Sequence, residues 1–289
     1  DHSVFSCPEY IPSYLAGKST IITPAIDPLS QKNRPLTPHQ LVGVLCNAGL
    51  MKEHAPVLRP DFDDQAQRLR PDGTFTVACE DDEIGLIYRP IVTQISRWDR
   101  LKGWKPLLDG FAMLKRNRDR IEGLTDLQRR RLDIVRLVLA GPDPSSVQDD
   151  PEGKEVLDEL CAAYGELEPE LQRDVALLTL PMSSARENAL MVNALQSCST
   201  VIAQNSLREG FGLTATEAMF KRTAVLASNA CGLRQQIRDR IDGRINPHPE
   251  EPRAVADLLV EMLGEAEWRQ IAGRTAQRRA HDEFLVFSQ

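Results

Sequence analysis

The chain has 289 residues, 42 % hydrophobic and 27 % charged, with a formal net charge of −7. That balance excludes disorder along most of the length, and the length suits about two ordinary domains or one large α/β domain. The acidic excess argues against a general nucleic-acid binder, which presents a basic patch. No apolar run approaches the ~18 residues of a membrane-spanning helix.

The chain opens Asp1-His2-Ser3, with no Met, no basic stretch and no apolar stretch. No secretory signal is visible, and the start reads as that of a fragment or a trimmed chain. Six cysteines, at 7, 46, 79, 161, 198 and 231, form no C-x-x-C pair and fit no zinc spacing. Scattered in this way, they are expected to be reduced thiols of a cytoplasmic protein. The five histidines are dispersed without an H-E-x-x-H motif, so no metal site is expected.

In chain order, Ile21-Ile22-Thr23 reads as a short strand, ended by Pro24 and Pro28. Thr37-Pro38 opens a helix to about Leu50, with Thr as N-cap and Pro at the first helical position. Residues 51 to 83 hold Pro56, Pro60, Pro71, Gly73 and the acidic run Glu80 to Glu83, and read as a long irregular insertion with room for a small hairpin around Thr74 to Ala78. From residue 90 the pattern turns regular. Pro90 to Ser96 is a strand, and Trp104 to Arg116 an amphipathic helix with Leu107, Leu108, Phe111 and Leu114 on one face. Ile134 to Ala140 is a near-continuous apolar strand of the kind buried on both faces, ended by Gly141-Pro142. There follow a helix over Glu152 to Tyr164, a strand over Val175 to Leu180, a helix over Glu187 to Ser197 and a strand over Thr200 to Gln204. Leu213 to Lys221 is a helix and Ala224 to Ala227 a strand, and two helices close the chain over Pro252 to Leu263 and Ala266 to Glu283. Strands alternating with helices predict an α/β fold with a doubly wound parallel sheet.

One string carries chemistry. After the strand ending at Gln204 comes Asn205-Ser206-Leu207-Arg208-Glu209-Gly210-Phe211-Gly212-Leu213-Thr214, and the helix continues through Glu217. Gly210 and Gly212 let backbone approach a ligand closely. The unpaired N–H groups opening the helix face the crevice beyond the strand's carboxyl end, an arrangement that binds phosphate. Thr214 can add a hydroxyl. Glu209 and Glu217 bracket the turn, and eight helical residues span about 12 Å, beyond the about 5 to 9.5 Å of a glycosidase acid–base pair. Such a pair suits the two ends of a long ligand, and a nucleotide sugar has hydroxyls at both ends and a diphosphate between. Taken alone, Gly-Phe-Gly is equally a structural turn, and Arg97 and Lys102, in the turn Ser96 to Gly103, a solvated surface pair.

The string closely resembles the donor-site signature of retaining GT-B glycosyltransferases of family 4, whose E-x7-E hallmark is met by Glu209 and Glu217. The resemblance is nearest to the trehalose-synthase branch. There Ser206 to Thr214, Asn193-Ala194-Leu195-Gln196, Ile26 to Arg34, Cys7-Pro8-Glu9-Tyr10-Ile11-Pro12 and Asp150-Pro151-Glu152-Gly153 all have counterparts. It covers most of residues 1 to 50 and 90 to 283.

The resemblance implies a GT-B donor domain, Rossmann-like, over 84–289, preceded by the end of an acceptor domain and the crossover over 1–36 and by a helix and insertion over 37–83. Arg97 and Lys102 would meet the donor diphosphate, Glu209 the hexose hydroxyls and Glu217 the ribose. Gly210, Phe211, Gly212, Leu213 and Thr214 would line the hexose and diphosphate, with Phe211 equally placed for packing alone. Gln204, Asn205 and Arg208 are lesser candidates. Cys231, in the thin glycine turn Ala230-Cys231-Gly232, reads as a small packed side chain. The implied reaction is transfer of glucose from a nucleoside diphosphate glucose to a sugar acceptor, giving trehalose, with front-face retention and neither metal nor cofactor. A trehalose phosphorylase, or a nucleotide-sugar-binding module without turnover, uses the same donor residues. Homodimer formation is left open. A Rossmann dehydrogenase is disfavoured, because no G-x-G-x-x-G follows a first strand.

Overall fold

The computed structural model describes residues 2–52, 62–79, 83–146 and 151–288. Its centre is a parallel sheet of six strands: β5 (Ile91–Ile95), β6 (Arg136–Pro142), β7 (Val175–Leu180), β8 (Val201–Gln204), β9 (Ala224–Ser228) and β10 (Gly243–Asn246). They lie in the order β10-β9-β8-β5-β6-β7. The chain winds outward from β5 to β7, returns beside β5 as β8, and winds outward the other way. The order therefore reverses between β5 and β8, where ligands of open α/β sheets bind beyond the strand ends.

Two short elements enlarge this plan. β1 (Ser3–Phe5) and β2 (Ser19–Ile21) form a separate parallel pair. Then α1 (Pro38–Asn47) begins at a full capping box, in which Thr37 accepts from the Gln40 amide while the Gln40 side chain accepts from the Thr37 amide. The insertion is more ordered than its prolines announced. β3 (Gln67–Leu69) and β4 (Phe75–Val77) make an antiparallel hairpin, and β3 pairs antiparallel with β7, extending the sheet at that edge. Pro56, Pro60 and Glu80 to Asp82 lie outside the described residues, as does Asp150.

Period-2 alternation divides the core. Leu137 and Leu139 of β6 face one helical layer, made of α2 (Trp104–Asn117), α3 (Asp126–Ile134), α4 (Pro151–Gly165) and α9 (Pro252–Gly264). Val138 and Ala140 face the other, where α1 packs with α6 (Ala185–Cys198). A third cluster sits under β8 and β9, formed by α7 (Leu213–Phe220), α8 (Cys231–Gln236) and α10 (Ala266–Glu283). The short α5 (Pro169–Asp174) leads into β7. The doubly wound expectation thus holds. Five elements go beyond it: β1, α3, α5, α8 and β10. The apolar strand begins at Arg136 rather than Ile134 and continues through Gly141 and Pro142 instead of ending before them. Among the described residues, no helix is long and apolar enough to cross a membrane.

The segment between β2 and α1 runs back across the domain. Ile26 donates to Phe284 O at 2.9 Å and accepts from the Val286 amide at 3.1 Å. Asn193 of α6 donates to the carbonyls of Gln31 and Arg34 at 2.8 and 2.9 Å. This anchoring places residues 27–34 against α6 and α7.

Candidate functional site

The β5–β8 junction sets two turns side by side. After β5, a 3-10 turn over Arg100–Lys102 is capped by Asp99, which accepts from the Leu101 amide at 2.8 Å. It ends at Gly103 in the left-handed region, φ 64°. A Cβ there would fall 2.1 Å from the Asn205 carbonyl oxygen, so only glycine lets the turns meet. Buried Gln94 joins them, donating to Lys102 O and accepting from the Asn205 amide, both at 2.9 Å. The Leu207 amide closes the seam on Leu101 O at 2.7 Å.

This seam brings Lys102 to Glu209. The Lys102 ammonium lies 2.7 Å from Glu209 Oε2, and the side chains are 15 % and 12 % exposed. The same oxygen accepts from Ser206 Oγ at 3.1 Å and Gln204 Nε2 at 3.4 Å. From the other side, Tyr10 donates its hydroxyl to Glu209 O at 2.8 Å, and Ser6 donates to Gly210 O at 3.3 Å. The carboxylate is therefore held by Lys102, Ser206 and Gln204, and the backbone beside it by the N-terminal segment.

The turn then opens α7. Gly212, at φ 88°, is its N-cap and gives no side-chain cap. The first N–H groups of a helix have no intrahelical partner, and here no capping side chain takes them, so they carry the positive end of the helix dipole. Leu213 is exposed, Thr214 half-buried, and a Cβ on Gly210 would meet open space. Phe211 differs from its neighbours. Its ring is 6 % exposed and packs edge-on to Phe284 at 5.9 Å, so only its backbone remains available to a ligand.

Glu217 lies four residues into α7, about 6 Å along the axis from Leu213. It is buried and engaged at both oxygens, with Lys32 Nζ 2.8 Å from Oε1 and Gln196 Nε2 3.0 Å from Oε2. Arg97 does not join the Lys102–Glu209 group. Its side chain is exposed, and its carbonyl accepts from Trp104 Nε1 at 3.3 Å. Asn205 and Arg208 also stay out of the pair. Asn205 is buried and donates to Pro249 O at 2.8 Å, whereas Arg208 is exposed. The sequence did not announce Tyr10, Lys32 or Gln196 as partners, because Tyr10 meets the Glu209 backbone, and Lys32 and Gln196 the Glu217 carboxylate, only through the fold.

The cysteine expectation is corrected. Cys7 and Cys231 form a disulfide across 224 positions, and the other four cysteines are free. Cys231 is thus a covalent tie and not a packed thiol. Beside it, Arg234 pairs with Glu9, and Gln235 donates to Cys7 Sγ at 2.9 Å. Disulfides are rare in reducing compartments, so the cysteine pattern no longer argues for one. Cys7, Glu9 and Cys231 are the one group of metal-ligand type among the described residues. With the sulfurs bonded to each other, neither is the thiolate a metal requires.

Two turns from adjacent strand ends, an uncapped helix N-terminus, a lysine and a carboxylate gather at one end of a Rossmann-like sheet, groups able to meet both anions and hydroxyls. The chain matches the family model of glycosyl transferases group 1 over residues 87–279, and it belongs to that family. It is 30 % identical over 288 residues to a trehalose synthase of Pyrococcus horikoshii, covering 99 % of this chain and 54 % of the relative. It is 27 % identical over 208 residues to a trehalose phosphorylase of Grifola frondosa, covering 70 % of this chain and 25 % of that one. The chain spans about half the length of the trehalose synthases it matches. In fold it is similar to Anabaena HepE, solved in complex with UDP and glucose, with TM-score 0.63 at 16 % identity over 99 % of this chain and 59 % of that one. It is also similar to a UDP-forming trehalose-phosphate synthase from Burkholderia xenovorans, with TM-score 0.58 at 17 % identity over 94 % and 50 % of the two chains. The expected GT-B type of fold is the one these neighbours share.

Proposed function

We propose that this chain is the donor-binding half of a retaining hexosyltransferase that takes glucose from a nucleoside diphosphate glucose and passes it to a sugar acceptor, with glucose as acceptor and trehalose as product. The observation that carries the reading is the Lys102–Glu209 pair at the uncapped start of α7. Cleavage of the bond between the anomeric carbon and the diphosphate oxygen develops negative charge on the leaving group. A fixed cation and oriented N–H groups stabilise that charge without reorganising. Lys102 and the amides from Gly210 to Thr214 supply them, and exposed Arg97 adds a second cation from the rim. Glu209 accepts hydrogen bonds from hexose hydroxyls, and Glu217 from those of the ribose. The acceptor hydroxyl bonds to the anomeric carbon on the face the diphosphate leaves, and its proton passes to the departing phosphate oxygen. No protein nucleophile, metal or cofactor takes part in this reading.

Similarity to the trehalose synthase of Pyrococcus horikoshii supports glucose as acceptor. Similarity to the trehalose phosphorylase of Grifola frondosa favours a second reading, in which phosphate takes glucose from trehalose, giving glucose 1-phosphate and free glucose, with that phosphate held where the diphosphate would lie. The test is run on the protein carrying this chain, as transfer from UDP-, ADP- or GDP-glucose to glucose and as transfer from trehalose to inorganic phosphate. The product anomer is read by NMR. The expected outcome is an α-linked product with release of the nucleoside diphosphate. A β-linked product contradicts retention, and donor binding without transfer to either acceptor means a binding module.

A further inference from the structure

The occupancy of Glu217 poses a problem for any ligand that would use it. Its side chain is 4 % exposed, and each oxygen already has a partner. Each carboxylate oxygen can accept a second hydrogen bond, but with so little of Glu217 exposed, a hydroxyl reaches it only where a partner gives way. Gln196 is fully buried on α6 and cannot. Lys32 can, because its side chain is 39 % exposed.

The backbone around Lys32 is held while its tip is not. Asp27 accepts from the Leu29 amide through its side chain at 2.8 Å and from Asn33 Nδ2 through its carbonyl at 3.0 Å. Asn193 grips the carbonyls of Gln31 and Arg34, on either side. Departure of the ammonium is therefore a side-chain rotation of a long flexible stem and needs no loop opening. Glu217 would not be stranded by it, since Lys221, one turn further along α7, lies close enough to feel its charge and donates to Asn33 Oδ1 at 3.4 Å.

We propose that Lys32 is a built-in occupant of the ribose subsite, a gating side chain that the hydroxyls of an incoming nucleoside diphosphate must displace from Glu217. This rests on the reading of Glu217 as the ribose-binding carboxylate. Lys32 thereby lowers the affinity of any nucleotide whose ribose hydroxyls must take its place, and leaves that of a nucleotide lacking both hydroxyls unchanged. It sets how large an advantage the two hydroxyls give.

The test compares UDP, ADP and GDP with their 2′,3′-dideoxy counterparts, by calorimetry on the 289-residue chain, its Lys32→Ala and Lys32→Arg variants, and Glu217→Gln. For the base that binds, Lys32→Ala is expected to tighten the ribonucleotide roughly three- to tenfold, the scale of one partly exposed ion pair. The dideoxy affinity should not move, and Lys32→Arg should behave as the parent. An unchanged or smaller preference for the ribonucleotide in folded Lys32→Ala overturns the gate while the parent's own preference upholds Glu217. If neither the parent nor Lys32→Ala distinguishes the two nucleotides, or Glu217→Gln leaves the preference intact, the ribose reading falls and takes the gate with it. Should Lys32→Ala fail to fold, Lys32→Ser carries the same comparison.

Discussion

Lys102 and Glu209 are 107 positions apart in sequence, yet the ammonium and the carboxylate stand 2.7 Å apart with little solvent between them and the protein. The β5–β8 adjacency makes the pair, and in the proposed reading the pair joins the phosphate end of the site to the hydroxyl end.

Removing either member should act differently. Lys102→Ala takes away the cation and leaves Glu209 without its counter-ion in a mostly buried setting, so it should weaken nucleoside diphosphate and nucleotide sugar alike. It should also cost about 2 kcal/mol or more of stability. Glu209→Gln keeps the shape and removes the charge. It should weaken nucleoside diphosphate glucose while leaving the nucleoside diphosphate nearly as tight. Titration of both ligands with both variants reads the split, and equal losses for Glu209→Gln would count against a hexose role.

Phe211 and Gly212 are adjacent but should fail for separate reasons. Phe211→Ala opens a cavity beside Phe284 and should cost about 3–5 kcal/mol in denaturant unfolding. Gly212→Ala forces a Cβ onto a φ of 88° and to within 2.6 Å of Leu233 Cδ2. It should disturb the start of α7, with a larger loss of nucleotide affinity than of melting temperature. Phe211→Leu, which keeps the core filled, should leave binding close to the parent.

Lys221 makes a pH-dependent prediction. Burial pushes its ammonium down to about 8, against the opposing pull of Glu217 and with a further push from Lys32. Between about 8 and the ordinary lysine range, the unfolded chain holds a proton that the folded chain has lost, so stability from this group rises with pH there. At pH 7 both forms are protonated and the full burial cost applies, on the order of 3 kcal/mol. Lys221→Met should therefore melt higher than the parent at pH 7, with the advantage shrinking above pH 8. An advantage constant from pH 7 to 10 would contradict the assignment.

The thiols give a count. Of six cysteines, four are free, so four should titrate in denaturant without reductant and six after reduction. In the folded chain burial pushes Cys161 up to about 11 and Cys198 up to about 12, and both should resist alkylation at pH 8. Six reactive thiols without reductant would remove the Cys7–Cys231 tie.

The sequence made some of this legible and concealed the rest, for physical reasons. The strands β5 to β9 read clearly because strands buried on both faces are continuous apolar runs. β10 escaped notice because it reads Gly-Arg-Ile-Asn, and its Arg244 is buried through ion pairs with Asp239 and Glu261 that only the fold supplies. α3 buries only Leu132 and so shows almost no apolar stripe, although its Thr125–Gln128 capping box was a readable signal. Lys115 of α2 is buried, a placement no spacing marks, because it pairs with Asp174 at 2.7 Å and donates to the carbonyls of Leu132, Asp133 and Val135. At the site, the string from Ser206 to Glu217 was legible because it is local. Its partners Tyr10, Lys32 and Gln196 come from elsewhere in the chain, and no spacing rule links them to it. Cys7 and Cys231 met for the same reason, through the folding of the N-terminal segment onto α8.

The most direct test of the donor site is calorimetric titration of the chain with UDP-, ADP- and GDP-glucose, with NAD as control, repeated on a Lys102→Ala, Glu217→Ala double variant. The account predicts saturable binding of one nucleotide sugar, no binding of NAD, and loss of at least tenfold in affinity in a double variant that remains folded, about 1.4 kcal/mol or more. Undiminished affinity in that variant would contradict it, because the ligand would then be held somewhere other than between the β5 turn and α7.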